Sequence, residues 1–192
     1  MNLPATHQRV LLDAARDTIR RVLRGEATPG PTPGELSDPV LAQPAGCFVT
    51  LHRLESHALR GCVGRLEAVQ PLIATLRGCA AGVLRDPRFT DEPVTSDELP
   101  ALQIDVSVLS PLRPAAGPLA FDPLVEGIYL TVAERSGCFL PQVARETGWS
   151  REQLLARLCV EKMGLPADAW KLPGARLEVF TTLVVGPEPF ER

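Results

Sequence analysis

The chain has 192 residues, of which 45% are hydrophobic and 22% are charged. This length can bury a sizeable core as one domain over residues 1–192, or as one domain with a lobe, and the composition is typical of a soluble globular protein. A net charge of −3 argues against non-specific binding to nucleic acid, which depends on clustered positive charge. Because the chain shows neither a long apolar run nor a signal-peptide pattern, we expect no membrane segment and no secretory leader.

The cysteine residues are odd in number, and no two of them have the CxxC spacing of zinc or redox motifs. The sequence therefore indicates neither a structural zinc site nor a disulfide framework, and it identifies no cofactor. Free thiols persist in a reducing compartment, so we expect a cytoplasmic protein. The cysteines are Cys47, Cys62, Cys79, Cys138 and Cys159.

The first predicted element is an amphipathic helix over residues 7–24, where apolar residues recur at helical spacing. Thr6 can cap its first turn. Residues 25–45 are rich in proline and glycine, which predicts a loop that runs over the surface.

Two runs of strand-forming residues follow, 47–54 and 59–63, joined by a short polar linker. This is the pattern of a β-hairpin. The hydrophobic alternation favours one register, because a slip of one residue would mix apolar and polar positions on each face. The cross-strand pairs in that register are Leu54 with Ala58, His52 with Arg60, Thr50 with Cys62 and Phe48 with Gly64.

The predicted register places a thiol, a guanidinium and an imidazole on one face of the hairpin, from Cys62, Arg60 and His52. Gly61 and Gly64 bracket the thiol, and glycine inside a strand often marks the close approach of a ligand or of another backbone. These residues therefore form a candidate site. A structural role is the alternative, because a free cysteine often packs as a small hydrophobe and an arginine can form a surface ion pair.

Beyond the hairpin, a helix is predicted from Pro71 to about Leu84, with Cys79 on its buried side. The sequence Asp-Pro-Arg-Phe at residues 86–89 then turns the chain. Its Asp–Arg pair either holds the turn or supplies the guanidinium of Arg88 to a site, since arginine binds carboxylate or phosphate with a planar fork.

Residues 95–98 have the form of a capping box that starts a short helical turn. Residues 102–109 then alternate regularly between apolar and polar types. This predicts a strand with one buried side and with one exposed or cleft-facing side that carries Asp105 and Ser107.

The C-terminal part of the chain again mixes strands and helices. Because neighbouring strands are mostly joined as hairpins, the order of elements predicts an α+β fold with a mixed, mostly antiparallel sheet flanked by helices. The remaining predicted elements are strands over 128–134, 138–140 and 176–185, a turn at 136–137, and helices that begin at Pro141 and after a cap at Ser150.

Several of these segments are similar to one known family pattern. Residues 46–51, GCFVTL, and residues 59–64, LRGCVG, match its G-x-F-V-T-L and L-R-G-C-I-G elements. Over residues 45–185 the chain resembles the AMMECR-type domain, which is protein A of the AmmeMemoRadiSam system. The other matching segments are Asp86-Pro87-Arg88-Phe89, Glu98-Leu99, Val106-Ser107-Val108-Leu109, Leu140-Pro141-Gln142-Val143, Gly148-Trp149 and Gly164-Leu165-Pro166 before Trp170.

The resemblance implies an α+β fold with a larger sheet-and-helix lobe, a smaller lobe and a cleft between them. It also implies partners, because the family occurs beside, or fused to, a Memo-like protein and a radical SAM protein. The reaction of the family is not established, so the resemblance identifies the fold better than the chemistry.

Two functions remain open from the sequence. In the first, the chain is an enzyme or an enzyme component in which Cys62 is the nucleophile, Arg60 lowers the pKa of Cys62, and His52 is the base. In the second, the chain is a non-catalytic binding or scaffold module for the Memo-like and radical SAM partners. The predicted residues for binding a small anionic or amide-bearing ligand are Arg60, Gly61, Gly64, Arg88 and Gln142.

Overall fold

The computed structural model describes residues 3–191. The chain folds into two compact units, each with its own hydrophobic core. Within the described residues, the larger unit comprises 3–109 and 183–191, and the smaller unit comprises 110–182. The elements confirm the predicted α+β class with an antiparallel sheet flanked by helices.

The sheet of the larger unit is built on the predicted hairpin. Strand β1 (Cys47–Arg53) lies between β2 (Leu59–Arg65) and β3 (Leu102–Leu109) and pairs antiparallel with both. The second half of β7 (Arg176–Pro189) lies on the other side of β3. Strand β2 is therefore an edge strand of the sheet, with one row of backbone groups left over for other partners.

Two long helices complete the larger unit, α1 (Ala5–Leu23) and α3 (Leu72–Gly82), which pack against each other and against the sheet. The predicted helix at residues 7–24 is confirmed, but the predicted Thr6 cap is wrong, because Thr6 lies inside the first turn and Pro4 precedes it. No helix among residues 3–191 is long and apolar enough to cross a membrane.

The segment predicted as a surface loop, residues 25–45, contains a short helix, α2 (Pro33–Ser37). Its capping box is complete: the Thr32 hydroxyl accepts a hydrogen bond from the Glu35 backbone, and the Glu35 carboxylate accepts one from the Thr32 backbone. Proline at the first helical position favours this local structure even in a chain rich in breakers.

Burial in the larger unit corrects one prediction and confirms another. Cys79 is buried in α3, as predicted. All eight residues of β3 are buried, including Gln103, Asp105 and Ser107, so of the two predicted alternatives for the polar side of this strand the exposed one is wrong and the cleft-facing one stays a prediction. Both faces of β3 are covered by other parts of the protein. The alternation of apolar and polar residues along this strand therefore does not separate buried from exposed positions.

The smaller unit contains four strands: β4 (Arg113–Pro114), β5 (Glu126–Val132), β6 (Arg135–Phe139) and the first half of β7. Strand β5 pairs antiparallel with both β6 and β7. The helices of the unit are α4 (Pro141–Thr147), which ends at a left-handed Gly148, and α5 (Arg151–Arg157), which begins at the predicted Ser150 capping box.

The turn of the β5–β6 hairpin differs from the predicted turn at residues 136–137. The chain reverses earlier, with Ala133 in the left-handed region at φ 52° and β6 beginning at Arg135. Gly137 instead lies within β6, where a Cβ atom would approach Lys162 to 2.9 Å. The glycine that suggested a turn is required by close packing.

Candidate functional site

The hairpin register is confirmed at the thiol and wrong nearer the loop. Thr50 pairs with Cys62 and Phe48 with Gly64, as predicted. A β-bulge follows, so that His52 pairs with Leu59 rather than with Arg60. A bulge adds one unpaired residue to one strand, and hydrophobic alternation cannot reveal it before the turn geometry is known.

Arg60, the extra residue of the bulge, is committed to a buried ion pair. Its side chain is only 3% exposed. Nε and Nη2 donate to the Glu98 carboxylate at 2.7 and 3.0 Å, and Nη2 also donates to the Glu92 carbonyl at 2.6 Å. The guanidinium carbon lies 5.5 Å from the centre of the Phe89 ring. The ligand-binding role of Arg60 stays a prediction.

The commitment of Glu98 to Arg60 also explains a second correction. Residues 95–98 were predicted to form a capping box, and a 3₁₀ helix (Ser96–Ala101) does begin there. The Thr95 side chain makes no capping hydrogen bond. The Glu98 carboxylate, which would have completed the box, pairs with Arg60 and lies 3.4 Å from the exposed Arg53.

The thiol of Cys62 is half-buried and sits next to the hydroxyl of Thr50, which donates to Sγ at 3.5 Å. Burial raises the pKa of Cys62, and the carboxylates of Asp105 and Asp86 add to the rise. The Thr50 hydroxyl and the charge of Arg88 oppose it. The thiol is therefore uncharged at neutral pH, and the cation that acts on its pKa is Arg88.

Asp86 and Arg88 together bind the outer edge of β2 at Cys62. The Asp86 carboxylate accepts a hydrogen bond from the Cys62 backbone N–H at 2.8 Å. Arg88 donates to the Cys62 carbonyl, with Nη2 3.4 Å from the oxygen. The two side chains thus satisfy the donor and the acceptor that a neighbouring strand would otherwise meet. We call this arrangement of Asp86, Arg88 and the Cys62 backbone the edge clamp.

The Asp86 side chain is 2% exposed and is held by several donors. The Arg88 guanidinium binds it through Nη2 at 2.6 Å and Nε at 3.0 Å, and the Arg88 backbone N–H donates at 3.0 Å. These bonds, led by that of the guanidinium and joined by the Cys62 N–H, lower the pKa of Asp86 to about 2, although burial opposes them. The turn at residues 86–89 therefore uses its Asp–Arg pair to hold itself together.

Arg88 also remains accessible. Its side chain is 52% exposed, and Nη1 makes no hydrogen bond within the described part of the chain. The two alternatives for this turn are thus compatible: the pair holds the turn and still leaves Nη1 of the guanidinium free beside Cys62.

His52, the predicted base, is half-buried and has an oxygen atom near each ring nitrogen. Nε2 lies 3.3 Å from the Asp105 carboxylate, and Nδ1 lies 3.2 Å from the His57 carbonyl oxygen. His57 itself has a left-handed φ of 55°, and its ring contacts the Gln103 amide at 2.8 Å. The hairpin loop therefore folds back onto the polar face, and His52 as a base stays a prediction.

The two glycines beside the thiol have packing roles. A Cβ atom at Gly64 would lie 2.1 Å from the Phe48 ring, and one at Gly61 would lie 3.0 Å from the Val83 carbonyl oxygen. Gly64 is the cross-strand partner of Phe48, so the ring lies over the space that a side chain would fill. Ligand binding by these glycines stays a prediction.

Replacement of Gly64 by alanine is expected to destabilise the protein by about 1–3 kcal/mol, because the Phe48 ring must shift to admit the methyl group. Gly78→Ala is the matched control: it lies within α3 with no atom within 4 Å of the added Cβ, and alanine there is expected to raise stability by up to about 1 kcal/mol. Urea denaturation monitored by circular dichroism measures both. Equal stability of the Gly64 variant and the wild type would contradict the close packing.

Gln142 lies on α4 in the smaller unit, apart in the chain from the residues of the edge clamp. Its Oε1 atom is buried and has no hydrogen-bond partner among the described residues. Ligand binding by Gln142 stays a prediction. Within residues 3–191, no group of three or more histidine, cysteine, aspartate or glutamate side chains is arranged to hold a metal ion.

Two carboxylates that shape the site, Asp86 and Asp105, were not among the predicted site residues. Asp86 was recognised only as part of a turn motif, because its hydrogen bond with the Cys62 N–H joins residues that are 24 positions apart in the sequence. Asp105 was placed on a polar strand face, and its pairing opposite Thr50 depends on the order of strands in the sheet. Neither contact is encoded in local sequence spacing.

The fold and the edge clamp define an α+β protein with a candidate ligand site at the edge of an antiparallel sheet. The family model of AMMECR1 matches residues 12–185, and the chain belongs to that family.

Archaeal relatives support this assignment. A protein of Methanothermobacter thermautotrophicus is 38% identical over 179 residues, which cover 90% of each chain. A protein of Thermococcus gammatolerans is 38% identical over 165 residues, which cover 81% of this chain and 79% of the relative. The crystal structure of uncharacterized protein PH0010 from Pyrococcus horikoshii is similar with a TM-score of 0.80 and 33% identity, over 91% of this chain and 88% of the other.

Proposed function

We propose that this protein is a ligand-binding component of an enzyme system and that it binds an anionic small molecule at the edge clamp. The proposal depends on one observation: the Arg88 guanidinium is held in place on one side and is free at one nitrogen. Asp86 fixes Nε and Nη2, while Nη1 remains free and the side chain is half-exposed. A guanidinium held through Nε and Nη2 still offers the two hydrogens of Nη1 to an oxygen of a carboxylate or phosphate.

The uncharged thiol of Cys62 supports a binding function rather than catalysis by this protein alone. An uncharged Cys62 is a weak nucleophile at neutral pH, because the thiolate is the reactive form. A neutral thiol also does not repel an anion that approaches Arg88. An oxygen atom already lies near each ring nitrogen of His52, which leaves this residue poorly placed to take a proton from Cys62.

A thiol enzyme centred on Cys62 is the second candidate. It is favoured by the charge of Arg88, which opposes the effect of burial on the pKa of Cys62. In this function, Arg88 takes the activating role that the sequence suggested for Arg60. The two candidates differ in the ionisation of Cys62, which alkylation can measure.

Alkylation of Cys62 by iodoacetamide is expected to be slow at pH 7 and to rise with a midpoint above the ordinary pKa of a thiol, near 8.5. Arg88→Ala is expected to move the midpoint higher, because it removes a cation that stabilises the thiolate. Arg85→Ala removes an exposed arginine outside the clamp and is the control. Mass spectrometry of the modified peptide gives the rate at each pH. A midpoint below 8.5 would favour the thiol enzyme.

The same reaction tests anion binding. Inorganic phosphate is expected to slow the alkylation of Cys62 in the wild type and in Arg85→Ala, since a bound anion shields the thiol and disfavours the thiolate. It is expected to have no effect in Arg88→Ala. Equal protection in all three proteins, or in none, would overturn the proposed site.

We also propose that the protein acts in the cytoplasm alongside a Memo-like protein and a radical SAM protein. Support comes from membership of the AMMECR1 family and from the five cysteines, all of which are free thiols. Co-purification of the three recombinant proteins tests this. A complex that forms equally with Cys62→Ser would identify a scaffold function, and no complex at micromolar concentrations would count against the partnership.

A further inference from the structure

The smaller unit contains a cavity of about 550 Å³ that no predicted site residue lines. Its apolar wall includes Leu130 of β5 and Leu155 of α5, which belong to the hydrophobic core, together with the half-buried Trp170. A cavity of this volume with a largely apolar wall is typical of small-molecule sites. The indole of Trp170 offers a broad surface for a bulky or flat apolar group.

In the same cavity wall, the pairing of strand β4 with strand β7 stops after a few residues. Strand β4 has only two residues, and the last bond on this side runs from the Ala115 N–H to the Leu177 carbonyl oxygen at 3.0 Å. The N–H and C=O of one strand residue point to the same side of the strand, so the Leu177 N–H also points towards residues 113–115 and away from β5.

The register of β4 with β7 ends at Pro114 and Glu178, and outside the strand ladders no acceptor within residues 3–191 bonds the Leu177 N–H. Leu177 is half-buried, and a backbone donor without a protein partner beside a cavity is available to a ligand acceptor. Ala115, Leu177 and Trp170 all line the cavity. The donor and the apolar wall therefore belong to one site.

We propose that this cavity binds an amide-bearing ligand with one bulky apolar side chain. The ligand carbonyl accepts a hydrogen bond from the Leu177 N–H, where it replaces the missing partner of the β4–β7 ladder. The apolar side chain packs against Trp170 and Leu155. An amide is the natural partner of a strand edge, because its carbonyl has the same acceptor strength as that of a paired strand. The site is independent of the edge clamp and of the function proposed for it.

The test uses N-acetyl-phenylalaninamide as the probe and the amide signals of ¹⁵N-labelled protein as the readout. Saturable binding is expected, with the Leu177 amide proton shifting downfield as it gains an acceptor. Two comparison probes each lack one feature: N-acetyl-glycinamide has no bulky group, and ethylbenzene has no carbonyl. Each is expected to bind at least tenfold more weakly, and neither binding nor a shift at Leu177 for the full probe would overturn the proposal.

Variants locate the site. Ala175→Leu places a larger side chain in the cavity wall and is expected to abolish binding without removing any core residue. Trp170→Phe is expected to weaken binding at least threefold. Trp149→Phe changes the other tryptophan, which packs against Phe139 and does not line the cavity, and binding is expected to be unchanged. Equal binding by wild type and Ala175→Leu would overturn the proposal.

The origin of the amide is resolved by a last comparison with the peptide Ala-Ala-Phe-Ala-Ala. Tighter binding of the peptide than of the capped residue identifies a segment of polypeptide as the source of the amide. Equal or weaker binding of the peptide identifies a free small molecule. Both results support the cavity as an amide site.

Discussion

Replacement of Asp86 by alanine is expected to lower the free energy of unfolding by about 2–4 kcal/mol at pH 7. The carboxylate is buried and accepts hydrogen bonds from the backbone of Cys62 and of Arg88 and from the Arg88 guanidinium. Its removal leaves two backbone donors without partners and releases the arginine. We place the effect below that of a fully buried ion pair, because Arg88 is half-exposed and water can solvate it.

The stabilisation that the Asp86 carboxylate provides is also expected to decrease as the pH falls. Its folded-state pKa of about 2 is below the ordinary value of 3.8, so the folded state favours the charged form. The corresponding stabilisation is fully present above about pH 4 and is lost as the pH falls through about 2. The difference between the two pKa values corresponds to about 2 kcal/mol.

Urea denaturation of the wild type and of Asp86→Asn at several pH values measures the pH-dependent stabilisation by the Asp86 carboxylate. The stability difference between the two proteins is expected to shrink between pH 5 and pH 2, because asparagine does not titrate. Asp91→Asn, which removes an exposed carboxylate outside the clamp, is expected to show a small difference at every pH. A constant difference for Asp86→Asn across this range would show that the carboxylate is not held as described.

The elements of the fold could be predicted from the sequence because their signals are local. Apolar spacing located α1 and α3, and the capping box at Ser150 located the start of α5. Failures occurred where a residue serves packing rather than its usual local role. Gly137 suggested a turn and lies in a strand, and the β5–β6 turn uses Ala133 instead.

The candidate site was predicted only in part, for a related reason. Alternation alone placed Thr50 opposite Cys62 and identified the thiol as the centre of a polar face. The bulge then removed Arg60 from its predicted pairing, and Arg88, which is 26 residues away in sequence, supplies the cation instead. Such contacts depend on the path of the chain after α3, and the spacing of residues in the hairpin carries no information about that path.

The largest single effect is expected at Arg60. Arg60→Ala should lower the free energy of unfolding by about 3–5 kcal/mol, because it removes a buried guanidinium, leaves the mostly buried Glu98 carboxylate with only the exposed Arg53 beside it, and leaves the Glu92 carbonyl without its donor. Contact of the guanidinium with the Phe89 ring is lost as well. Thermal and urea denaturation report the change directly.

Arg53 provides the matched control, because it contacts the same carboxylate from the surface. Its side chain is 49% exposed and lies 3.4 Å from Glu98, so Arg53→Ala is expected to cost less than about 1 kcal/mol. The double variant Arg60→Ala with Glu98→Gln is expected to lose less free energy of unfolding than the sum of the two single changes. The reason is that glutamine at position 98 carries no charge that needs the arginine as its partner. If Arg60→Ala and Arg53→Ala were equally stable, Arg60 would not be a buried structural cation, and its predicted role in ligand binding would become the better explanation for its place in the hairpin.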